Sequence, residues 1–476
     1  MNLDPDVCYR ALSSRDARFD GRFFVGVAST GVYCRPICPA RTPLRRNCRF
    51  FPAAAAAADA GFRPCRRCRP EASPTSAAWQ GTSAVVARAL RLVEGGALDQ
   101  GSVADLAARV GSGERHLRRL FVEHVGASPV AVAQTRRVHF AKQLLDETAL
   151  PITTIAHAAG FASLRRFNTA MQEAWGAAPR ELRKKPSTRN AAVVLRLAAR
   201  APFAFDEVLA YLAPRAIPGV EEVGEGVYRR SAVFGDATGV IEVAAAGAPQ
   251  QLELRVPAGL ARHAGVISAR VRRVFDLSAD PASIAEPLRR DRALARRLAA
   301  RPGVRVPGAW DGFELAVRAI LGQQVTVAGA TTLAGRLAAR FGRPLAQPVG
   351  SVARLAPEAA DLAPGDVAAI GMPRARAEAL RALARAVARD GLDLDGGLDP
   401  EEALRRLEAL PGIGPWTAQY VALRALGMPD AFPASDLGLR RALGAPGRPL
   451  SAAALERRAE RWRPWRGYAA MLLWQA

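Results

Sequence analysis

The spacing of apolar and polar residues divides the chain into segments with different predicted secondary structure. Residues 82–185 read as helices throughout, and residues 311–476 read as helices again. Residues 190–300 mix helices with strand-like runs. Those runs are Ala191–Leu197, Gly226–Phe234, Gly239–Ala244 and Gln251–Val256. Because the chain has 476 residues, it is long enough for three or four domains.

Two short polar stretches punctuated by proline are predicted linkers. They are Pro70–Gly81 and Arg183–Thr188. With the change of pattern near residue 300, they predict four domains, which are residues 1–75, 82–185, 190–300 and 301–476.

The first helical segment is predicted to contain two helix-turn-helix units. In the first unit, Ser102 is expected to cap a helix at Val103–Val110, and Ser112 is expected to cap another at Gly113–Glu123. The second unit and the helix that connects the two are predicted at Thr153–Ala159, Ser163–Trp175 and Pro129–Asp146, with Gly160 as the second turn.

This pair of units, with its Ile155-Ala156-x-x-x-Gly160-Phe161 sequence, resembles the AraC-type DNA-binding domain. The resemblance implies that the second helix of each unit enters the major groove. Arginine and asparagine suit guanine and adenine edges, and contact with phosphate or solvent alone is the alternative. The side chains expected to face DNA are His116, Arg118, Arg119, Arg165, Arg166 and Asn168.

Four cysteines near the N-terminus have the spacing of a zinc site. Cys34, Cys38, Cys65 and Cys68 follow the pattern C-x3-C-x26-C-x2-C. Two close pairs of thiolates suit one tetrahedral Zn²⁺, and four protein ligands usually indicate a purely structural metal. The remaining cysteines, Cys8 and Cys48, are expected to be free thiols, and all six lie before residue 70.

The sequence around these ligands resembles the N-terminal domain of the Ada methylation-response proteins over residues 5–72. The matching runs are Thr30–Pro36 and Gly61–Cys68. The resemblance implies that one zinc thiolate, by position Cys34, accepts a methyl group from a DNA phosphotriester. A zinc-bound thiolate is a competent nucleophile, although a zinc that serves only as a scaffold is the alternative.

Near the C-terminus, Leu410–Gly414 lies between predicted helices at Glu401–Ala409 and Pro415–Leu426. Its two glycines, Gly412 and Gly414, let the backbone approach a phosphate, with amide groups at the next helix N-terminus directed at it. Asp436 lies 22 residues past Gly414. An aspartate alone is more often a helix cap, but with the hairpin before it this is the pattern of helix-hairpin-helix DNA glycosylases.

Residues 190–476 resemble the AlkA 3-methyladenine glycosylases through Phe313–Val325, Gly371–Pro373 and Glu460–Ala469. The resemblance implies that the target nucleotide is flipped into a pocket. An alkylated purine is cationic and departs as a neutral base, and electron-rich aromatic faces attract such a cation. The Asp436 carboxylate is expected to stabilise the oxocarbenium-like sugar.

By position in the family, four aromatic residues are expected to line the base pocket. For each tryptophan among them, the alternative is a purely structural place in the hydrophobic core. They are Trp416, Tyr420, Trp474 and Tyr211. Gln324 stands where the family has a leucine wedge that fills the gap left by the flipped nucleotide. Leu437 replaces a tyrosine beside the aspartate. Trp462 and Trp465 are expected in the core.

Composition adds limits to the chemistry. The net charge of +23 permits a polyanionic partner, but arginine and alanine enrichment weakens that signal. The last lysine is Lys185 and the last cysteine is Cys68. The C-terminal half therefore has no lysine for a Schiff base, and we expect no cysteine-ligated iron–sulfur cluster. No signal peptide or membrane span is predicted, which together with the cysteines favours the cytoplasm.

The sequence therefore predicts a multidomain protein: a small zinc-bound α/β domain, an all-α double helix-turn-helix domain, a mixed α/β subdomain and an all-α helix-hairpin-helix glycosylase domain. The expected function joins methyl sensing and gene activation to hydrolytic excision of alkylated purines. Double-stranded DNA is the expected partner, both alkylated and as an operator, with RNA polymerase a further candidate. The rival is a transcription regulator with a structural zinc, whose glycosylase half only binds DNA.

Overall fold

The computed structural model describes residues 4–73, 84–183 and 192–475. The greater part of each predicted linker, residues 74–81 and 184–188, lies outside the described residues, as does Ala191 of the first predicted strand. The chain forms two compact units. The first comprises Met1–Arg200 and Ala246–Ala269, and the second comprises Ala201–Ala245 and Arg270–Ala476.

The cysteine-rich segment folds as a small four-stranded sheet with two helices, which agrees with the predicted small α/β domain. The strand order is β3-β1-β2-β4, in which β2 and β4 are parallel and the other pairs are antiparallel. This order places the end of β2 beside the start of the second cysteine pair. The elements are α1 (Pro5–Ser13), β1 (Phe24–Val27), β2 (Val32–Cys34), β3 (Cys48–Phe51), α2 (Ala54–Asp59) and β4 (Arg63–Pro64).

Residues 84–183 are helical, as predicted, and contain both helix-turn-helix units. Ser102 caps its helix in a capping box with Asp105. The predicted cap at Ser112 is wrong, because Gly113 occupies the N-cap and makes no side-chain hydrogen bond. The helices are α3 (Ala84–Glu94), α4 (Ala97–Gln100), α5 (Val103–Arg109), α6 (Glu114–Val125), α7 (Pro129–Glu147), α8 (Ile152–Ala158), α9 (Leu164–Trp175) and α10 (Pro179–Leu182).

The turn between α8 and α9 depends on Gly160, which has a left-handed φ of +89°. A Cβ atom there would lie 2.4 Å from the Asp99 carboxylate carbon. That carboxylate cannot move away freely, since it accepts hydrogen bonds at 3.0 Å from both Arg136 and Arg137 of α7. Only glycine fits both the conformation and the space.

The predicted strands of the next segment are present, with one addition, β6. In the first unit β5 pairs antiparallel with β9, and in the second unit β6, β7 and β8 form an antiparallel meander. The elements are β5 (Ala192–Ala198), α11 (Phe205–Leu212), β6 (Glu221–Gly224), β7 (Val227–Phe234), β8 (Ala237–Ala245), β9 (Gln251–Pro257) and α12 (Ala264–Val274).

The remainder is helical except for an antiparallel ribbon at β10 and β11, which the helical prediction missed. No described helix has the length and apolar character needed to span a bilayer. The elements are α13 (Pro281–Leu288), α14 (Arg292–Ala300), α15 (Gly312–Leu321), α16 (Val327–Phe341), β10 (Pro344–Val349), β11 (Val352–Arg354), α17 (Ala359–Leu362), α18 (Arg374–Ala388), α19 (Pro400–Glu408), α20 (Pro415–Arg424), α21 (Leu437–Leu443), α22 (Ala452–Ala459) and α23 (Arg466–Trp474).

We predict that Gly160→Ala destabilises the second helix-turn-helix unit by about 1–3 kcal/mol, because the methyl group meets the Asp99 carboxylate in a strained conformation. Hydrogen exchange of α8 amides measures this change. Gly113→Ala is the matched control, since a Cβ atom there would have nothing within 4 Å of it and the φ of Gly113 is −77°. Equal acceleration of exchange in the two variants would contradict the steric explanation.

Candidate functional site

The four predicted zinc ligands meet at one place. The sulfurs of Cys34, Cys38, Cys65 and Cys68 all lie within 4.8 Å of one another, and all four residues are buried. Cys34 ends β2, and Cys65 follows β4, which pairs with β2. Four converging thiolates suit a tetrahedral Zn²⁺, so the donor set fits the metal.

One backbone hydrogen bond to the sulfur cluster is present among the described residues. The Arg35 N–H donates to Cys68 Sγ at 3.3 Å. Such a bond stabilises negative charge on the sulfur, which suits a thiolate ligand.

The other two cysteines lie outside this cluster and are buried free thiols. Burial raises the pKa of the Cys8 thiol to about 11, and it also raises the pKa of Cys48. Both side chains therefore remain protonated at neutral pH and do not resemble metal ligands.

Residues next to the zinc ligands contact the helix-turn-helix domain directly. The Tyr33 hydroxyl lies 2.6 Å from Nε2 of His139 in α7, and Tyr33 is only 1% exposed. Arg66, which lies between two ligands, donates at 2.7 Å to the carbonyl of Trp175 at the end of α9. Each cysteine pair is thus attached to a different helix of the DNA-binding domain.

The six side chains predicted to face DNA are all exposed on α6 and α9. Both helices bury their opposite faces, for example through Phe121 and Phe167. Arg118 is paired with Glu114 at 2.6 Å, and Arg119 lies 3.0 Å from Nδ1 of His116. Arg165, Arg166 and Asn168 lie on the exposed face of α9.

The second unit contains a cavity of about 1090 Å³ into which the predicted glycosylase residues converge. Tyr211, Trp416, Tyr420 and Trp474 form part of its wall, together with Asp436 and Gln324. Leu437 also lines the cavity and is 46% exposed, whereas Trp462 and Trp465 are buried in the core, as expected.

Asp436 is both a helix cap and a cavity residue, so the two interpretations of this residue are compatible. Its Oδ1 accepts from Leu439 N at 2.9 Å and from Trp474 Nε1 at 3.0 Å. Its Oδ2 accepts from Trp416 Nε1 at 2.8 Å. Three N–H donors suit an ionised carboxylate, which can only accept, and they fix its orientation towards the cavity.

The aromatic wall also contains cations that the sequence analysis missed. Tyr420 stacks on Trp416 with ring centroids 5.3 Å apart, and its hydroxyl accepts from Arg424 Nη1 at 2.6 Å. The Arg215 guanidinium lies 3.9 Å from the ring centroid of Tyr211. Both arginines follow their tyrosines by four residues, the spacing that brings side chains together on a helix, so the sequence held the signal.

These guanidiniums act on the two tyrosines differently. Burial raises the pKa of Tyr211 to about 12, against the effect of Arg424 and Arg215. Burial also raises the pKa of Tyr420, but Arg424 and Arg215 outweigh it and lower that pKa to about 8. Of the two phenols, that of Tyr420 therefore ionises more readily.

The predicted hairpin joins α19 to α20 and lies next to the cavity rim. Gly412 has a φ of +77°, and a Cβ there would lie 2.8 Å from the Ala379 Cβ atom. Gly414 caps α20 and, like Gly412, is exposed. The Gln323 amide donates to the Gly412 carbonyl at 2.9 Å, which ties the hairpin to the rim loop. In that loop Gln324 is exposed, with a φ of +55°.

Comparison with known proteins agrees with this division of sites. Four family models match consecutive parts of the chain: the metal binding domain of Ada at residues 7–71, a helix-turn-helix domain at 106–185, the AlkA N-terminal domain at 194–311, and the HhH-GPD superfamily of base excision DNA repair proteins at 317–466.

Individual relatives cover the whole chain or its C-terminal part. A probable bifunctional transcriptional activator/DNA repair enzyme AlkA of Mycobacterium tuberculosis is 45% identical, covering 100% of this chain and 97% of the relative. DNA-3-methyladenine glycosylase 2 of Escherichia coli is 39% identical, covering 57% of this chain and 94% of the relative. The 3-methyladenine DNA-glycosylase structure from Archaeoglobus fulgidus has a TM-score of 0.52 at 22% identity, covering 59% of this chain and 96% of that one, and shows the fold alone.

Proposed function

The chain belongs to the family of bifunctional AlkA proteins that join an Ada metal-binding domain and a helix-turn-helix domain to a glycosylase, and from this premise we propose that it activates transcription and excises alkylated purines such as 3-methyladenine from DNA. The Asp436 carboxylate, held by two indole N–H groups in an aromatic cavity, carries the glycosylase part of the proposal. We also propose that the chain is divided into four domains, at residues 1–75, 82–185, 190–300 and 301–476.

In the proposed excision, the damaged nucleotide is flipped into the cavity and its cationic base lies against the aromatic wall. The glycosidic bond breaks as the base leaves with the bonding electron pair, and the sugar becomes oxocarbenium-like. Asp436 stabilises that positive charge and helps orient the water that adds to it. Because the last lysine is Lys185, the reaction is hydrolytic and leaves the abasic strand unbroken.

The rim and the hairpin supply the proposed DNA contacts of this half. Exposed backbone at Gly412 and Gly414, at the N-terminus of α20, suits a phosphate. Gln324 projects from the rim and is proposed to occupy the gap in the duplex, where its amide can pair with the orphaned base. The hydrogen bond from Gln323 to Gly412 holds these two contacts at a fixed separation.

In the zinc domain, we propose one Zn²⁺ held by the four clustered cysteines, with Cys34 as the methyl acceptor. The Cys34 sulfur attacks the methyl carbon of a phosphotriester, the carbon–oxygen bond breaks, and a phosphodiester leaves. With Zn²⁺ bound, the four thiolates would give the site a formal charge of −2, and methylation of Cys34 would leave −1. Reduced repulsion of phosphates would raise the affinity for DNA.

The helix-turn-helix domain is the proposed reader of the operator. His116, Arg118 and Arg119 on α6, and Arg165, Arg166 and Asn168 on α9, are proposed to contact bases or phosphates. The contacts of Tyr33 with α7 and of Arg66 with α9 support joint docking of the zinc site and these helices. We propose that activation involves RNA polymerase. We also propose a cytoplasmic location, where free cysteines persist.

We predict one Zn²⁺ per chain, lost in a Cys65→Ser/Cys68→Ser double variant because two ligands are removed. Structural zinc contributes on the order of 10 kcal/mol of apparent binding energy in small domains, so a chelator should unfold residues 5–72. Elemental analysis of the full chain measures the metal. A Cys8→Ser/Cys48→Ser variant is the control and should retain it. Full zinc retention by the first variant would refute the assignment.

Methylphosphotriester DNA is expected to transfer one methyl group to Cys34 and to raise operator affinity. The loss of one negative charge near phosphates should contribute about 1–3 kcal/mol, which falls with added salt. Peptide mass spectrometry locates the methyl group, and operator binding before and after transfer measures the switch. A methyl group on Cys38, Cys65 or Cys68 would contradict the assignment, and unchanged operator affinity would contradict the switch alone.

Asp436→Asn should lower the release of 3-methyladenine by about 10²–10³, because a preorganised negative charge is lost. The new amide also has one acceptor oxygen, so one of the two indoles loses its partner. Asp280→Asn alters a helix-capping aspartate outside the cavity lining and should leave release unchanged. Undiminished release by Asp436→Asn would contradict the proposed mechanism. Strand cleavage at the same rate as base release, with a covalent protein–DNA intermediate trapped by borohydride, would contradict it as well.

A further inference from the structure

Three arginines line the glycosylase cavity without an ion-paired carboxylate in the part of the chain that the structure describes. They are Arg215, Arg318 and Arg424. Only Arg424 is buried, at 5% exposure, and its Nε donates to the Pro307 carbonyl at 2.6 Å. Because an unpaired buried charge is costly, the Arg424 guanidinium favours a neighbour that can become negative.

Tyr420 is the neighbour best placed to do so. Its oxygen accepts from Arg424 Nη1 at 2.6 Å. Its ring forms part of the cavity wall between Trp416, stacked at 5.3 Å, and Trp474, at 6.1 Å between centroids. A charge on this oxygen would therefore act directly on a base held in the cavity.

The other charged groups around Tyr420 do not cancel this effect. Arg215 and Tyr211 approach from α11 and the turn after it, Arg318 from α15, and Asp436 from the cap of α21. Glu221 is occupied by the Tyr228 hydroxyl at 2.5 Å and by Arg230 at 3.4 Å. The balance around the phenol is positive, which agrees with a Tyr420 pKa lowered to about 8.

We propose that Tyr420 and Arg424 form a specificity-determining pair, in which the Tyr420 phenolate favours cationic alkylated bases and the neutral phenol favours uncharged ones. This inference rests on the proposed glycosylase activity. The phenolate adds a negative charge that attracts a cationic purine. The protonated hydroxyl already accepts from Arg424, so its own proton is available to a neutral base with an acceptor oxygen. Selectivity for cationic bases therefore rises as pH increases through about 8.

The first experiment follows tyrosinate absorbance of the full chain during a pH titration. Of the six tyrosines, one should ionise near pH 8 in the unchanged chain, and that step should be missing in Tyr420→Phe. Arg424→Gln should move it to higher pH. Tyr228→Phe is the control and should retain the step, because burial raises the pKa of Tyr228 well above the ordinary value. A titration without the step, or one in which Tyr420→Phe retains it, would overturn the proposal.

The second experiment compares base release by the unchanged chain and by Tyr420→Phe at each pH. Methylated DNA reports 3-methyladenine as the cationic base, and DNA with deoxyinosine reports hypoxanthine as the neutral one. Dividing the two rates for one substrate cancels the titration of the base and of the groups that the two chains share. The quotient for 3-methyladenine should rise on the order of tenfold between about pH 7 and 9, whereas the quotient for hypoxanthine should stay level or fall.

The outcomes separate this proposal from the function it rests on. Quotients that change in parallel for the two bases would overturn the specificity role while leaving the glycosylase intact. Release of neither base by the unchanged chain would contradict the glycosylase, and the specificity role with it. A tyrosinate step near pH 8 accompanied by diverging quotients is the result expected if the pair sets specificity.

Discussion

A carboxylate held by three N–H donors inside an aromatic cavity is the interaction on which the proposed glycosylase site depends. Asp436 accepts all three, and two of the donors are the tryptophans that line the same cavity. Those donors belong to α20, α21 and α23, so the carboxylate is held only while these helices keep their packing. The wall that would bind the base and the group that would act on the sugar are therefore one structure.

The arginines of the cavity differ in the groups that pair with them. Arg230 forms an ion pair with Glu314 at 2.9 Å, whereas the partners of Arg424 among the described residues are neutral oxygens, those of Pro307 and of the Tyr420 hydroxyl. An uncompensated guanidinium raises the tendency of that phenol to ionise. The Arg424 guanidinium would therefore influence the electrostatic environment of a base bound in the cavity.

A cluster of cysteine sulfurs is the central feature of the first unit. Four buried sulfurs converge there, and the Arg35 N–H donates to one of them, Cys68 Sγ. The residues that flank these ligands also contact the helix-turn-helix domain. Tyr33 contacts α7 and Arg66 contacts the end of α9, so a change at the sulfur cluster adjoins the helices that would read DNA.

The sequence by itself determined what local spacing controls: the cysteine pairs, the helix-turn-helix units, the hairpin and the four-residue intervals that set each arginine beside its tyrosine. Helix bounds agreed closely, because caps and turns such as Ser102 and Gly160 act over a few residues. Only the tertiary structure decided which groups hold Asp436, since its indole donors lie 20 residues before and 38 residues after it. It also decided which arginines lack carboxylates and that Tyr33 meets His139. Such contacts depend on how separate helices pack, and no local pattern of residues records that packing.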